Sequence, residues 1–270
     1  MINNLINYLV KILSLKKFQF INDYFLHIIL RAKGYKNPGS FKDTGEDLFL
    51  KKLLKFKLKT CLDIGAHSGE YSQMLIKKFN ANVIAFEPMK NSFKNLLIIK
   101  KKEPLRFFPY NLALSNKIGY VYIFFPNKNS QLSTLCENYN KINFLKKKKF
   151  RSRKIKVITL DYFVKNNLCL FRNGIDFIKI DTEGYDCLVL LGGINTIKRF
   201  KPKFIQFEMN YHNIFNSINI YKIYQFFKTY KIYRILPYNN GFLEVDPNRP
   251  ENNIFHLSNY ILVKKNIKFL

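Results

Sequence analysis

Apolar residues recur along the chain at two alternating spacings. From residue 59 onward, short apolar runs typical of strands alternate with segments whose apolar positions lie three and four residues apart, as on one face of a helix. The pattern predicts strands over residues 59–64, 82–86, 106–114, 120–125, 156–160, 175–181, 203–209, 232–236 and 260–263. It predicts helices over residues 44–54, 70–79, 89–102, 186–200 and 218–230, and a short one after residue 160.

This alternation predicts an α/β fold class. We expect a Rossmann-like, doubly wound, mostly parallel sheet of about seven strands with helices on both faces. The last two strands are expected to form an antiparallel edge, as mixed sheets often do. The first helix of this unit is expected to begin at Thr44 as its N-cap, with Asp47 at the capping-box position.

The first 33 residues have a different pattern. Their apolar residues follow helical spacing, and Lys11, Lys16, Lys17, Arg31 and Lys33 supply a basic side. Such a helix can lie on an anionic membrane surface, although packing onto the main domain or a second subunit is commoner. We therefore divide the chain into an N-terminal amphipathic helical extension and linker, residues 1–43, and a main domain, residues 44–270.

The chain is strongly basic. Its 46 Lys and Arg residues against 18 Asp and Glu residues give a formal net charge of +28, which invites a nucleic-acid or anionic-membrane partner. The basic residues are mostly Lys, in a chain also rich in Asn, Ile, Phe and Tyr, which is typical of an AT-rich genome. Nucleic acid is therefore a disfavoured partner. The run Lys146–Lys149 is interpreted as part of a solvated loop over residues 127–154.

Cysteine spacing and hydropathy indicate the compartment. Cys61, Cys136, Cys169 and Cys187 form no CxxC pair and no metal-binding spacing, so a reducing compartment is the simplest interpretation. The N-terminus lacks a signal-peptide cleavage site, and no apolar run reaches about 18 residues. We expect a cytoplasmic protein, with the inner membrane face as a further candidate location.

The stretch from Thr60 to Gly69 predicts a strand, a glycine-rich turn and the start of a helix. Gly65 and Gly69 allow tight turning and close approach to a ligand, and this arrangement is typical of a nucleotide-binding corner. A dinucleotide fingerprint would have glycine where His67 stands, and His67 would crowd a pyrophosphate. With Asp63 before the turn, the motif favours a cationic, phosphate-free ligand such as S-adenosylmethionine over a purely structural turn.

Two further acidic motifs follow at strand ends. Glu87, in Phe-Glu-Pro after the second predicted strand, can accept hydrogen bonds from ribose hydroxyls, or can simply cap the next helix. Asp181 and Glu183, in Lys-Ile-Asp-Thr-Glu-Gly, can bind a metal, orient a hydroxyl or act as a base. The alternative is a solvated strand-end loop. Glu208 would lie beside Asp181 if their two strands are neighbours, which makes this pair the candidate metal ligands.

Six motifs and their order along the chain resemble the FkbM-type family of S-adenosylmethionine-dependent methyltransferases. The resemblance covers about residues 44–264. They are Asp63-Ile-Gly-Ala-His-Ser-Gly69, Phe86-Glu-Pro88, Leu112-Ala-Leu-Ser115, Val157-Ile-Thr-Leu-Asp161, Lys179-Ile-Asp-Thr-Glu-Gly184 and Pro202 with Phe207-Glu208. Gly45-Glu46 also matches the family's helix ahead of the glycine turn. The resemblance implies the class I methyltransferase variant of the predicted fold.

The resemblance also implies site residues and an activity. Asp63, Gly65, Ala66 and Gly69 would shape the S-adenosylmethionine pocket, Glu87 would hold the ribose, Asn111 to Ala113 would border the adenine, and Asp181 and Glu183 would face the methyl acceptor. The implied reaction is O-methylation of a hydroxyl on a sugar, glycan or small molecule with S-adenosylmethionine as cofactor. Whether a divalent metal also takes part is left open by the residues. The alternatives are a non-catalytic or nucleic-acid-binding protein on the same fold, and a nicotinamide dehydrogenase.

Overall fold

The computed structural model describes residues 2–36, 39–125 and 151–270. Its α-helices are α1 (Ile2–Leu13), α2 (Gln19–Ala32), α3 (Phe41–Thr44), α4 (Glu46–Leu53), α5 (Glu70–Phe79), α6 (Lys90–Lys102), α7 (Leu160–Asn166), α8 (Asp186–Leu191), α9 (Ile194–Phe200), α10 (Asn213–Asn216) and α11 (Ile220–Phe226). Short 3₁₀ turns lie at Lys16–Phe18, Leu168–Phe171, Pro237–Asn239 and Pro250–Asn252.

The strands form two sheets. They are β1 (Thr60–Ile64), β2 (Asn82–Phe86), β3 (Phe107–Tyr110), β4 (Ala113–Leu114), β5 (Gly119–Phe125), β6 (Arg151–Ile158), β7 (Phe177–Ile180), β8 (Phe204–Met209), β9 (Tyr230–Ile235), β10 (Phe242–Glu244) and β11 (Ser258–Lys264). The main sheet has the order β10-β9-β11-β8-β7-β1-β2-β3, and the small sheet has the order β4-β6-β5.

The main sheet confirms the predicted mostly parallel architecture. β3, β2, β1, β7 and β8 pair in parallel, whereas β11 pairs antiparallel with both β8 and β9, and β10 pairs antiparallel with β9. Alternate residues of each central strand serve opposite cores: Leu62 packs with helices α7, α8, α9 and α11, whereas Cys61 packs with α4, α5 and α6. The helices therefore cover both faces, as predicted.

The predicted number of strands was too small. The main sheet has eight strands among the described residues, and a three-stranded sheet packs its own small core around Met89 and Val157 beside it. The pattern missed β10 because this edge strand has three residues and none of them is buried. The predicted strand over residues 106–114 is two strands, β3 and β4, which belong to different sheets.

Three predicted local features are also corrected. The helix predicted over residues 186–200 is broken between α8 and α9 at the glycine pair Gly192-Gly193. A Cβ on Gly192 would lie 2.0 Å from the carbonyl oxygen of Ser115, so this close packing requires glycine. Thr44 does not cap a helix start. Ser40 and Asp43 form the capping box of α3, and Gly45, at a φ of 83°, separates α3 from α4.

Part of the predicted loop over residues 127–154 is ordered as a strand. Residues 151–154 belong to β6, which pairs along its whole length with β5. Lys146–Lys149 and Cys136 lie outside the described residues. Cys61 and Cys187 are buried, as their positions in apolar segments predict, and Cys169 is exposed.

The N-terminal segment, predicted to be an amphipathic helical extension, forms two helices, α1 and α2. The side-chain amides of Gln19 and Asn22 donate to the backbone carbonyl of Leu13 and fix the turn between α1 and α2; we call the two helices with this turn the α1–α2 hairpin. The residues after α2 anchor it, since Lys36 N–H donates to Leu257 O, and Ser258 Oγ donates to Gly34 O at 2.8 Å. Helix α3, which spans the predicted domain boundary at residue 43, packs on the turn Pro237–Asn239 of the main domain. The boundary itself stays a prediction.

In the part of the chain that the structure describes, no helix is both long enough and apolar enough to cross a membrane.

Candidate active site

The candidate site lies at the carboxyl ends of the central strands. The chain runs from β1 outward to β2 and β3, and returns on the other side of β1 through β7 and β8. Open α/β sheets bind ligands at such a reversal, because the two following loops diverge and leave a crevice. Gly65 follows β1 and Asp181 follows β7, so the two main sequence motifs meet at this point.

A cavity of about 580 Å³ opens at this crevice. Its described lining includes six carboxyl side chains but one lysine, Lys179, although the chain as a whole has a net charge of +28. The six carboxyl groups are those of Glu46, Asp63, Glu70, Glu87, Asp181 and Glu183. Apolar side chains line another part of the wall, among them Phe86, Met89, Leu112, Leu114 and Ile123. The cavity therefore suits a ligand with cationic groups and an apolar or aromatic portion.

The glycine turn is held against two neighbouring strands. Gly65 and Ala66 N–H both donate to the carbonyl of Phe86 at the end of β2. Gly65 has a φ of 88°, and a Cβ at this position would lie 1.8 Å from the carbonyl oxygen of Asp181. The absence of a side chain is thus required by contact with the chain after β7, a reason that the sequence motif does not reveal.

Gly69 has a packing role. A Cβ on Gly69 would meet the side chains of Ile99 and Leu96 at 2.3 and 2.7 Å, so this glycine brings the start of α5 close to α6. Gly69 does not belong to the described lining of the cavity. Its contribution to ligand binding, predicted from the resemblance, would therefore be indirect, through the position of the turn.

Glu87 is fixed by two backbone amides. His67 N–H donates to its Oε2 at 2.9 Å and Met89 N–H to its Oε1 at 2.7 Å, and its side chain is buried at the cavity wall. Burial raises the pKa of Glu87 to about 7, against the opposing effect of these two hydrogen bonds. Each carboxyl oxygen keeps a further lone pair for a ligand hydroxyl.

Asn111 fixes the backbone of the loop that contains Glu87 and Pro88. Its side-chain amide donates to the carbonyls of Glu87 at 2.8 Å and Pro88 at 3.1 Å. Asn111 does not line the described cavity, whereas its neighbours Leu112 and Ala113 do. Of the residues predicted to border the adenine, Leu112 and Ala113 therefore line the cavity and Asn111 supports the loop.

Asp63 lies at the floor of the cavity and is completely buried. Its Oδ2 accepts a hydrogen bond of 2.6 Å from Ser72 Oγ, and its Oδ1 has no hydrogen-bond partner among the described residues. Burial raises its pKa, although the charge of Lys179 on the adjacent strand opposes that shift. A buried acceptor without a partner is costly, so this atom is suited to a ligand N–H group.

Lys179 and Asp181 form an ion pair at the end of β7. They lie on the same face of the strand, as period-two alternation predicts, and Lys179 Nζ is 2.8 Å from Asp181 Oδ2. Lys179 is buried, which alone would lower its pKa, but Asp181, Asp63 and Glu46 raise the pKa above its usual value. The Asp181 side chain is 44% exposed and lines the cavity, so a substrate can reach it.

A polar network that the site prediction did not include faces this pair. Glu46 Oε2 accepts from Thr44 Oγ1 at 3.0 Å, Gln206 donates to Glu46 Oε1, and Tyr71 OH donates to Gln206 at 2.7 Å. Lys179 Nζ lies 4.8 Å above the Tyr71 ring. Burial raises the pKa of Glu46. One signal was available, since Gln206 is a polar residue between the apolar residues Ile205 and Phe207 of β8.

A second group of carboxyl side chains follows β7 and β8. Glu183 has a φ of 53°, and Asp186 accepts hydrogen bonds from Thr182 N–H, Thr182 Oγ1 and Glu208 N–H. Burial and the charges of Asp181 and Asp186 raise the pKa of Glu183 to about 8. Burial, then the charge of Glu183, also raises the pKa of Glu208. These shifts favour the protonated form of Glu183.

β7 and β8 are neighbours, as the metal hypothesis for Asp181 and Glu208 requires. However, Glu208 does not line the described cavity, and its Oε1 accepts from Asn210 Nδ2 at 2.9 Å. Among the described residues, no group of three or more His, Cys, Asp or Glu side chains has a metal-binding arrangement. The metal site stays an untested prediction.

The structure thus brings most of the predicted residues to one cavity. Asp63, Gly65, Ala66, Glu87 and Ala113 from the cofactor set line it together with Asp181 and Glu183, whereas Gly69 and Asn111 support it. The sheet is mostly parallel and has its crevice at the switch point, where ligands bind in Rossmann-like folds. The carboxyl groups of this crevice would repel a phosphate group, so a phosphate-free ligand is expected there.

Comparison with known families identifies the class. Residues 63–240 match the family model described as the methyltransferase FkbM domain. The chain belongs to this family, which confirms the resemblance that its motifs indicate. No curated protein shows significant sequence similarity to the chain.

Several solved methyltransferase structures are similar at low identity. A precorrin-6y C5,15-methyltransferase from Geobacter metallireducens GS-15 is 13% identical with a TM-score of 0.41, over 85% of this chain and 90% of that one. TYW2 from P. horikoshii, in complex with MeSAdo, is 15% identical with a TM-score of 0.40, over 85% and 66%. TrmK from M. capricolum, in complex with S-adenosyl-homocysteine, is 14% identical with a TM-score of 0.36, over 81% and 68%. At these scores the likenesses carry no argument about this chain.

Proposed function

We propose that the protein is an S-adenosylmethionine-dependent O-methyltransferase that methylates a hydroxyl group of a sugar, a glycan or a small molecule. The observation that carries this proposal is the acidic cavity at the switch point of a strongly basic chain. Membership of a methyltransferase family makes S-adenosylmethionine the expected methyl donor.

The cavity residues fit this donor by their chemistry. Asp63 Oδ1, a buried acceptor without a hydrogen-bond partner among the described residues, would bind an ammonium or hydroxyl group of the donor. Glu87, oriented by two backbone amides, would accept hydrogen bonds from the ribose hydroxyls. Leu112 and Ala113 would contact the adenine ring. When bound, S-adenosylmethionine supplies a methyl group on a sulfonium, which an acceptor oxygen can displace.

Asp181 would orient and deprotonate the acceptor hydroxyl. It lies at the cavity wall, it is accessible, and Lys179 holds one of its oxygens at 2.8 Å, so the other is available to the acceptor proton. A hydroxyl proton leaves as the new C–O bond forms, and a positioned carboxylate contributes about 10²–10⁴-fold to such a step. The burial of Lys179 keeps this ion pair in one geometry.

Glu183 would assist as a hydrogen-bond donor to the acceptor. Burial and the neighbouring carboxyl groups raise its pKa, which favours the protonated form. A protonated carboxyl group can donate to a second oxygen of a sugar and help fix the ring. This role differs from that of Asp181, so the two carboxyl groups would not be interchangeable.

A divalent metal held by Asp181 and Glu208 is the alternative means of activating the hydroxyl. Dialysis against a chelator tests it, followed by turnover measurements with and without added Mg²⁺ or Mn²⁺. Full turnover after chelation would support activation by Asp181 alone, and loss with recovery on metal addition would support the metal.

Product identification tests the whole proposal. The protein is incubated with S-adenosylmethionine and host glycan or lipid extracts, and mass spectrometry searches for products heavier by one methylene unit. In parallel, calorimetric titration compares S-adenosylhomocysteine with NAD. We expect saturable binding of S-adenosylhomocysteine and a methylated hydroxyl product. Binding of NAD alone, or strong salt-dependent retention on RNA without methylation of any extract, would contradict the proposal.

The location forms part of the same proposal. We propose that the enzyme works in the cytoplasm, at the inner face of the membrane, because residues 1–33 combine exposed apolar side chains with basic ones.

A further inference from the structure

The α1–α2 hairpin exposes an unusual amount of apolar surface. No residue of α1 is buried, and Leu30 is the buried residue of α2. Large apolar side chains on both helices are about half exposed or more, including Leu5, Ile6, Leu9, Phe20, Phe25 and Ile29. So many large exposed apolar side chains on two consecutive helices indicate a site of interaction with a protein or a membrane.

The sequence of α1 separates apolar from polar side chains. Asn3, Asn7 and Lys11 recur at four-residue spacing and share one side of the helix, whereas Leu5 and Leu9 lie on the other side. Such a helix, with a narrow polar side and a wide apolar side, suits the boundary between water and hydrocarbon.

The charge of the hairpin identifies the class of partner. Residues 2–36 contain six basic side chains and a single acidic one, Asp23. The basic residues are Lys11, Lys16, Lys17, Arg31, Lys33 and Lys36. Lys16 and Lys17 lie in the turn between the two helices, directly beside the apolar surface. A second copy of the hairpin would bring like charges together, whereas an anionic lipid surface complements them.

The base of the hairpin is firmly attached to the main domain. Tyr35 is completely buried and its ring lies 4.0 Å from the guanidinium of Arg234, which is also completely buried. A Cβ on Gly34 would lie 2.8 Å from the carbonyl oxygen of Ile235, so the chain enters the domain by close backbone contact. A partner that binds the hairpin therefore also positions the domain.

We propose that the α1–α2 hairpin docks the enzyme on an anionic lipid bilayer. The apolar side chains of both helices enter the boundary between headgroups and acyl chains, and the lysines contact the anionic headgroups. The family match begins at residue 63, so this device lies outside the matched region and is a property of this chain.

The hairpin also sets where the cavity lies. Gly39, Ser40 and Phe41 line the cavity, and Gly39 is three residues after Lys36, so the cavity rim lies within about 11 Å of the base of the hairpin. Docking would thus hold the cavity close to the bilayer, where a lipid-linked sugar presents its hydroxyl groups. This second step rests on the proposed function, whereas docking itself does not.

Vesicle flotation of the full-length protein tests docking without any methyl acceptor. The probes are phosphatidylcholine vesicles with and without phosphatidylglycerol. We expect the protein to float with the anionic vesicles and to remain below with the neutral ones. Equal binding to both vesicles, or binding to neither, would overturn the proposal.

Matched substitutions separate the apolar and the basic contributions. Leu9→Glu or Phe25→Glu is expected to weaken binding to the anionic vesicles by about a hundredfold, since each removes an apolar side chain from the acyl boundary. The control is Leu105→Glu, the same change at a side chain of the main domain that is 83% exposed. Binding by the hairpin variants at the level of the Leu105→Glu protein would overturn the proposal.

The lysine pair has its own control. Lys16→Gln with Lys17→Gln is expected to weaken binding about thirtyfold, whereas Lys101→Gln with Lys102→Gln, at the exposed end of α6, should change it little. Thermal unfolding should be the same for all these variants, because none of the changed side chains is buried. If the wild-type protein is instead a dimer that does not bind vesicles, and Leu9→Glu dissociates it, the partner of the hairpin is a second copy of the chain and the proposal is wrong.

A fluorescent label tests the position of the cavity. In a Cys136→Ser, Cys169→Ser background, an environment-sensitive dye is attached through Lys42→Cys beside the cavity rim, or through Asn173→Cys before β7, at the amino ends of the strands. We expect anionic vesicles to shift the emission of the first dye and leave the second unchanged. Equal shifts would overturn the placement of the cavity while leaving docking and methyl transfer to be judged by their own experiments.

Discussion

The cavity and the α1–α2 hairpin lie only a few residues apart along the chain and use charge in opposite ways. In the cavity, mostly buried or half-buried carboxyl groups converge, and Lys179 is the single lysine among the described lining residues. On the hairpin, lysines and an arginine surround apolar side chains that water can reach. Neither region is evident from the net charge of the whole chain.

The difference shows how position decides what a charge does. Burial raises the pKa of Glu87 and Glu183 into the range where a pH change alters their charge, so these groups can be tuned for binding and catalysis. Charges on the exposed hairpin are screened by salt and act over a whole surface. The following experiments test whether the cavity and the hairpin are as separate as this contrast implies.

The largest effect is expected from Asp181→Asn. We expect kcat to fall by about 10²–10⁴-fold on the acceptor found in the extract screen, because the proton acceptor is lost. S-adenosylhomocysteine binding should be retained, since the amide oxygen can still accept a hydrogen bond from Lys179. Asp176→Asn is the matched control, since Asp176 also pairs with a lysine, Lys203 at 2.6 Å, but precedes β7. The control should lower stability without lowering turnover per folded molecule. Wild-type turnover in Asp181→Asn would contradict the assigned role.

Gly65→Ala is expected to have the next largest effect. Because its Cβ would lie 1.8 Å from Asp181 O at a positive φ, we expect the free energy of unfolding to fall by about 2–4 kcal/mol. Gly174 has a similar φ of 82° with nothing within 4 Å of a Cβ, so Gly174→Ala should cost about 1 kcal/mol. Urea unfolding measures both. Equal losses would mean that the contact between the two strand ends is unimportant.

Glu87→Gln is expected to weaken S-adenosylhomocysteine binding about tenfold, since one amide donor would then face an NH₂ group. In the wild-type protein, affinity should rise as pH increases through about 7, because the ionised carboxyl is the better acceptor for ribose hydroxyls. The raised pKa also means that this group favours the folded state below pH 4.5 and that the contribution is lost as pH rises through 7. Calorimetry between about pH 6 and 8 should show that S-adenosylhomocysteine affinity does not depend on pH in the Glu87→Gln protein. If the affinity of this variant depends on pH as in the wild type, Glu87 is not the group that causes the dependence.

A change in ionic strength is expected to give the smallest effect and the most direct comparison between the cavity and the hairpin. Raising the ionic strength should weaken vesicle binding several-fold, because the lysine contacts are exposed, and leave S-adenosylhomocysteine affinity nearly unchanged, because the carboxyl groups that bind it are buried. Flotation and calorimetry on the same preparation measure the two responses. Parallel losses would mean that the cavity and the hairpin are not electrostatically separate.

The central fold was predictable because strong patterns produce it. The apolar runs of β1, β2, β7 and β8 and the helices between them determine the switch point, and the motifs at the strand ends follow. The spacing of apolar residues does not show which distant parts of the chain come into contact. The short exposed strand β10 has no apolar signal, and the break at Gly192 depends on Ser115, about eighty residues earlier.

The same limit applies to the site. Asp63, Glu87 and Asp181 were predictable because each ends or follows a strand at the same edge of the sheet. Gly69 and Asn111 belong to the same motifs but serve packing and loop support, which depend on Ile99 and on the backbone of Glu87. Glu46 and Gln206 come from elements far apart in sequence, and their meeting is visible only after folding.

If the hairpin docks on lipid as proposed, the contact between Arg234 and Tyr35 would determine how the enzyme leaves the membrane. This cation lies on an aromatic ring inside the protein, where dissolved ions do not reach it. Salt that releases the hairpin lysines from lipid therefore leaves the hairpin joined to the domain, so the enzyme departs as one unit. Attachment would then be reversible, with each molecule able to leave one patch of lipid and visit the next.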